Sequence, residues 1–438
     1  MRNPLRIPFV RDVAVTGGTQ VMQAASAMLA GILVARALGP SAKGQLSVLA
    51  ALGSVTVLLL SFGVHNSGVY FLGKYKTEQR AIVSNNLLIA VVGGIVSAAL
   101  LGLVGLLFSN QLLNDIHTVL FLIFLIYVPF NYFNEFVRRL MLGFGRVGMY
   151  NLPDLVSGGG LVVGTAVVLL LWGGNLVVLI IARIVVEVII SIVLCAQLLR
   201  SADFQFAPSL SVLRRQATYS VKNYASSLLW IFLLQSDLVL CNHFLGDGPT
   251  GIYSVTVALG IPIIMLGSVV GTLVFQRSSS DEDSDTRVAN TNRVARVLVP
   301  ILTVSMTLLA LLATWLVPVI YGHAFADATD ALLLLLPGLG ALSLELVFMN
   351  YLAGTGSPPM VYIAPLVGLV FNLSANFYAI PRWGINGAAA TSSLGYLVVL
   401  FLVLWYYLRS TGTSVRDVLI VRFTDIGLQR PLARTSGL

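Results

Sequence analysis

Arg183 and Glu187 stand four residues apart inside an apolar stretch that runs from 175 to 199. On a helix that spacing puts both side chains on one face. The stretch is long enough to cross a bilayer, where a charged side chain costs roughly 2.5–3.5 kcal/mol on insertion scales. Each charge therefore needs a reason to be there. One reading is a self-neutralising structural pair. The other is a pair lining a cavity, with the guanidinium free to bind an anion. Three further residues raise the same question. Glu345 falls in the middle of the stretch 329–353 and must either meet a cation or hold a proton. Asp237 lies about one turn from the end of 217–241, where hydration at the interface is the simpler account. Arg36 closes the first apolar stretch, either snorkelling to the interface or lining the mouth of a cavity. The chemistry these types can do is limited: anion contact by Arg183 and Arg36, and binding of a coupling ion by Glu187, Glu345 and Asp237. The remaining polar residues have blander readings. Glu135 has Arg138 and Arg139 one turn away and reads as a local pair. Lys222 reads as an interfacial anchor. His65 and Asn66 can pack polar to polar between helices.

The elements that position these residues follow from composition. Of 438 residues 57% are hydrophobic and 10% are charged. A soluble domain carries roughly 25% charged residues, so this chain cannot cover a soluble surface. The apolar residues come in blocks near or above the ~20 residues that cross ~30 Å of hydrocarbon as a helix. In lipid every backbone amide must be paired within its segment, which makes these blocks helices. Strands of a barrel would be about half as long and would alternate polar with apolar. The expected spans are 13–36, 45–72, 81–108, 117–141, 150–172, 175–199, 217–241, 250–276, 294–318, 329–353, 359–380 and 385–408. The fold class is thus an all-α integral membrane protein of about twelve helices.

Lys and Arg alternate sharply between the connections. One side carries the N-terminus, 74–80, 138–146, 200–222, 277–296 and the tail, and with them 22 of the 26 basic residues. Arg36, Lys43 and Arg382 lie on the other side, and Arg183 lies within a span. The positive-inside rule puts both termini in the cytoplasm. The acidic run at 281–285 does not change this, because Asp and Glu count little in that rule. Internal similarity accompanies the alternation. Leu38-Gly39, Gly44, Ser47-Val48 and Ala51-Leu52-Gly53 recur 207 residues later as Leu245-Gly246, Gly251, Ser254-Val255 and Ala258-Leu259-Gly260. Gly143, Gly145 and Met149 recur as Gly354, Gly356 and Met360 at an offset of 211, and so do Trp172-Gly173 and Asn175 as Trp383-Gly384 and Asn386. Six spans per copy give both copies the same orientation, as in transporters built from parallel repeats. The organisation expected is a cytoplasmic N-terminus (1–12), an N-lobe (13–199), a cytoplasmic linker (200–216), a C-lobe (217–408) and a cytoplasmic tail (409–438). Residues 415–426 of the tail are too polar and short to span and suit an interfacial helix.

Several function classes drop out. The net charge of +8 forms no basic stripe interleaved with aromatics, so nucleic acid is not a partner. Cys195 and Cys241 make neither a disulfide framework nor a zinc site. No metal and no cofactor are implied, and phosphate-loop, metalloprotease, nucleophile-elbow and redox motifs are missing. Gly158-Gly159-Gly160 reads as a close-packing helix face, not a phosphate loop. The N-terminal apolar stretch exceeds the roughly 7–15 residues of a signal peptide and reads as a retained first span.

Four corners together resemble a known family. They are Val34-Ala35-Arg36-Ala37-Leu38-Gly39-Pro40 with Gly44, Leu142-Gly143-Phe144-Gly145-Arg146, Ser236-Asp237-Leu238 leading to Gly251-Ile252-Tyr253-Ser254, and Ile380-Pro381-Arg382-Trp383-Gly384. In this order they resemble polysaccharide flippases of the multidrug/oligosaccharidyl-lipid/polysaccharide exporter superfamily. The resemblance implies two six-helix lobes around a central cavity that opens alternately to either side. It implies a polyprenyl-pyrophosphate-linked glycan as substrate, membrane lipids as surroundings, and a polysaccharide polymerase or export machinery as partners of a monomer in the cytoplasmic membrane. The family does not assign Arg183 or Arg36, which come from the charge argument above. The alternative is a cation-coupled multidrug or metabolite exporter of the same superfamily. A membrane enzyme is disfavoured, because the outer connections are too short to hold a catalytic domain.

Overall fold

The computed structural model describes residues 6–108, 116–201, 205–278 and 283–422, with the side chains of 6–16, 201, 222–223 and 276 also left aside. Arg2, part of the acidic run at 281–285, the end of the tail and the side chain of Lys222 therefore lie outside the described residues. Those residues form helices and no strand. In chain order these are α1 (Arg6–Ser61), α2 (Val64–Lys74), α3 (Gln79–Leu107), α4 (Thr118–Gly143), α5 (Val147–Trp172), α6 (Leu176–Ser201), α7 (Leu210–Leu245), α8 (Asp247–Ser278), α9 (Ser284–Tyr321), α10 (Ala328–Gly354), α11 (Met360–Thr411) and α12 (Val415–Leu419).

Among the described residues ten helical runs are long and apolar enough to span a membrane. Two of them fold over at a glycine: α1 turns at Gly39 (φ 79°, ψ −173°) and α11 at Gly384 (φ 58°, ψ −140°). Positive φ is open to glycine without a steric cost. Pro40 then restarts the helix, where its missing N–H is no loss. Counting the arms of α1 and α11 separately gives the twelve spans expected. Large apolar side chains face outward along them, among them Leu106, Leu170, Ile192 and Leu311. In lipid this is the expected surface.

The repeat is visible in the backbone. Gly246 adopts φ 79° and ψ −175°, nearly the angles of Gly39 at the matching corner. Gly145 and Gly356, and Gly173 and Gly384, are likewise paired in the positive-φ region. The two glycine corners also touch. A Cβ on Gly44 would fall on the Asp247 carbonyl oxygen, and a Cβ on Gly251 would fall on the Pro40 carbonyl oxygen. Each glycine thus meets the residue matching its partner's own neighbour, a reciprocal contact of the kind a two-fold axis produces. Gln45 Nε2 donates to Asp247 Oδ2 across the same contact at 2.7 Å.

The second span is not continuous. Phe62 (φ 45°) and Gly63 (φ 68°) break it between α1 and α2. The carbonyls freed by the break find tyrosines: Tyr132 Oη donates to the Leu60 oxygen at 2.9 Å, and Tyr224 Oη to the Leu59 oxygen. Such re-satisfaction allows a broken helix at membrane depth. Helices α7 and α9 begin earlier than their apolar stretches, because polar turns outside hydrocarbon extend a helix without lengthening its span. The tail helix is shorter than the expected 415–426 in its described part, ending at Leu419.

By contacts the chain divides into two compact units. One is Met1–Ala258 with Val317–Ala328 and Asn376–Ala388; the other is Leu259–Leu316, Thr329–Ala375 and Ala389–Leu438. In the first unit the linker after α6 is fastened to the start of α3. Asn85 exchanges hydrogen bonds with the main chain of Ser209 (2.9 and 3.0 Å), and Ser84 Oγ accepts from Ala207 N at 2.9 Å. Beneath this clip lies an apolar core that includes Phe71, Val137, Leu140, Met141, Leu194 and Val212. In the second unit small residues bring backbones together: Gly267 sits against Ser343 and Gly338 against Ser393.

Candidate functional site

The polar residues of the first unit gather in a cavity of about 250 Å³ among α1, α4, α5 and α6. Glu187 is 8% exposed and stands in its wall. Asn134 Nδ2 donates both to Glu187 Oε2 at 2.7 Å and to the Glu187 main-chain oxygen at 3.0 Å. The Ser191 hydroxyl lies 2.8 Å from Asn134 Oδ1 and 2.8 Å from the Glu187 carbonyl, and shares its proton between them. The carboxylate is thus held by α4 from across the cavity, not by a cation on its own helix. Arg183 lines the same cavity one turn away, with its guanidinium over the Tyr127 ring at 5.8 Å. At that distance an arginine is attracted to an aromatic face. No ion pair joins Arg183 to Glu187, so the i,i+4 spacing puts two charges in one cavity without neutralising them in contact.

A second charged group forms one end of this cavity. Arg138 bridges Glu135 at 2.6 Å and Asp154 at 2.8 Å, while Arg139 bonds Glu135 at 2.8 Å and reaches Asn66 Oδ1 at 2.7 Å. Two cations and two carboxylates balance there, in line with the local pairing expected of Glu135. Fixing such a group needs close helices. Gly158 brings α5 against Ser26 of α1, and Gly160 brings it against Val186 of α6. The glycine run is a packing face.

The other candidates lie elsewhere. Asp237 is buried and accepts from Tyr253 Oη at 2.6 Å and from its neighbour Leu238 N at 2.7 Å, which ties α7 to α8. Glu345 is fully buried in the second unit, and neither of its oxygens has a hydrogen-bond partner among the described residues. Arg36 is exposed and donates to the Val319 carbonyl. His65 is buried edge-on to Phe136, with ring centroids 5.5 Å apart. Three residues of the site escape sequence reasoning. Asn134 is an uncharged residue in an apolar run, with no spacing to announce it. Asp154 lies 16 positions from Arg138 on the next span, so its partner is visible only in three dimensions. Lys43 counts in the sequence as a topology charge, yet its side chain enters the lobe and meets Ser47 Oγ at 3.3 Å.

The sequence profile of the polysaccharide biosynthesis protein family matches residues 9–275, more than half of the chain. The chain belongs to that family. A stretch of 192 residues is 26% identical to an uncharacterized membrane protein of Methanocaldococcus jannaschii, covering 43% of this chain and 37% of that one. The chain thus matches little more than a third of that relative's length. Solved structures resemble it over most of its length. The lipid II flippase MurJ in an inward closed conformation aligns with a TM-score of 0.76 at 14% identity, covering 92% of this chain and 89% of that one. An inward-facing multidrug resistance MATE transporter of the MOP superfamily gives 0.69 at 14% identity, covering 89% and 94%. A MOP superfamily transporter from Pyrococcus furiosus, described as having a binding pocket of reverse polarity, gives 0.63 at 15%, covering 92% and 95%. At these identities the likeness is one of fold. This family member therefore has the all-helical, multi-pass fold of MOP transporters, and its relatives in fold are transporters, not enzymes.

Proposed function

We propose that the protein carries lipid-linked oligosaccharide repeat units across the cytoplasmic membrane, from the inner to the outer leaflet, by alternating access. The observation that supports this most is that Arg183 and Glu187 open onto one polar cavity without pairing with each other. A pyrophosphate and a sugar cannot cross hydrocarbon unaided, and cationic side chains in a cavity lower that barrier. In this reading Arg183 contacts the pyrophosphate inside and Arg36 contacts it near the outer corner. Glu187 is the first choice for the coupling carboxylate, and Glu345 and Asp237 are the others. Asn134 gives Glu187 a mechanical output. When an ion or proton occupies the carboxylate, the hydrogen bond from α4 weakens, and Arg183 loses its opposing charge and is freer to hold an anion. The basic connections keep both termini in the cytoplasm.

The test has two parts. Deletion should make polyprenyl-linked intermediates build up in extracted lipids; unchanged intermediates in the deletion strain would sink the reading. Arg183→Ala should then abolish transport at normal protein level, and Arg183→Lys should retain part of it. Loss of protein together with transport would instead make Arg183 a structural residue. The second reading, a cation-coupled exporter, draws on the placement of Glu187 within the N-lobe. It requires altered toxin sensitivity in the deletion strain.

A further inference from the structure

Beside the Glu187 cavity lies a second one of about 170 Å³, between the two arms of α1 and helices α5 and α6. Arg183 stands in the wall of both. In the second cavity its companion is Lys43. Among the described residues of that wall none is acidic. Apart from these two cations and the hydroxyls of Ser47 and Thr165, it is made of glycine, alanine, valine and leucine. Lys43 has its hydrogen bond to Ser47 and lies against Gly31, where an added Cβ would stand 3.6 Å from Nζ, an ordinary contact. Two like charges therefore face one small, mostly apolar space. Both side chains are half-buried among apolar neighbours, where like charges without a counter-charge between them repel. Glu187, one turn from Arg183 on α6, lines the neighbouring cavity and is engaged by Asn134.

We propose that Lys43 and Arg183 together hold one compact anion inside the N-lobe, a halide or a single phosphate group. One such anion turns the repulsion between the two cations into two attractions. The hydroxyls of Ser47 and Thr165 can each donate a further hydrogen bond, and charge-assisted donors of this kind are the chemistry of an anion site. Chemistry limits the occupant. Two cations and two hydroxyls on an otherwise apolar wall suit a halide or one phosphate group and offer a glycan few partners. The inference uses Arg183 as the proposed function does, but it does not need a glycan to be transported. Because Arg183 is shared, the anion and the charge on Glu187 compete for one guanidinium.

The test uses the purified full-length protein in nanodiscs of zwitterionic lipid. Thermal unfolding is followed while chloride or inorganic phosphate replaces gluconate at constant ionic strength. The expected result is a saturable rise in unfolding temperature with one of these anions. Lys43→Met and Arg183→Met should each weaken that binding by about tenfold or more, equivalent to ~1.4 kcal/mol, and Lys43→Arg should largely keep it. Should the methionine variants fail to fold, Ser47→Asp reads the same point. It places a built-in carboxylate one turn from Lys43, and the protein should become indifferent to added anion. Polyprenyl pyrophosphate distinguishes the source. If it binds with the same dependence on Lys43 and competes with chloride, the group held is the substrate's own phosphate; if it does not compete, the anion is a free one. Equal stabilisation of wild type and Lys43→Met, or equal stabilisation by gluconate, overturns the proposal. Either result leaves the lipid-accumulation test of the flippase reading untouched.

Discussion

Substitution of Gly251 tests the meeting of the two glycine corners. An alanine Cβ there would stand 2.7 Å from the Pro40 carbonyl carbon and 2.9 Å from Gly44 N, besides falling on the Pro40 oxygen, whereas ordinary contact begins at 3.4 Å. All three atoms are backbone, so no side chain can rotate out of the way. The corners must separate. Overpacking of this kind costs about 1–3 kcal/mol. If the touching corners belong to one of two alternating states, that cost acts on the population of this state alone. A bias of 1–3 kcal/mol corresponds to roughly a 5–150-fold change in the ratio of states. Gln45→Cys with Asp247→Cys, in a background lacking Cys195 and Cys241, reports the contact through a short thiol cross-linker. Cross-linking should be efficient in that parent and fall steeply when Gly251→Ala or Gly251→Val is added, with transport slowed in step. Gly248→Ala is the control, since a Cβ at Gly248 meets nothing within 4 Å. Equal cross-linking and equal transport in Gly251→Val and the parent would refute the reasoning.

Two other outcomes are expected. Asn134→Leu removes the donor that holds Glu187 from α4 and leaves a buried carboxylate short of a partner, at about 1–3 kcal/mol; transport should fall more than protein level, and equal expression with equal transport would show that the clasp is idle. At the tail, the Ser414 hydroxyl and then its backbone N–H, with Arg422, hold the Asp417 carboxyl below the usual carboxylate range. A group lowered on folding stabilises its structure above its unfolded value of ~3.9 and loses that effect as pH falls through the lowered one. Protection of the Val418 amide, measured relative to the unfolded chain at each pH, should therefore hold from neutral pH to about pH 4 and fall below, and Asp417→Asn should lower it at neutral pH.

The spans, the corners and the duplication are legible in the sequence because each leaves a periodic or local mark. A run of apolar residues long enough to span needs no partner to be recognised, and a glycine at an expected corner foretells a positive φ. Gly39 and Gly246 bear this out with almost the same angles. The break at Phe62–Gly63 is hidden, because it depends on Tyr132 and Tyr224 arriving from other helices to take the freed carbonyls. Lys43 reads in the sequence as a charge of an outer connection, and its place in the cavity wall appears only in the fold. For Arg183 and Glu187 the shared helix face is correctly read from their spacing. What the spacing cannot convey is that Asn134 and Tyr127 would engage them first.

The reciprocal contact at Gly44 and Gly251 also carries a record of ancestry. An isologous contact is one that two identical copies make with each other, so the half-length bundle could have met a second copy through this same corner before the halves were joined. In such a pair every change in the corner appears twice. In a single chain that constraint is absent, and the two sides of this contact differ. On one side of the contact Gln45 donates to Asp247, while the matching positions, 207 residues on from Gln45 and 207 back from Asp247, are Ile252 and Pro40. One half of the contact is polar and the other apolar, a difference that two identical copies could not show and a single chain can.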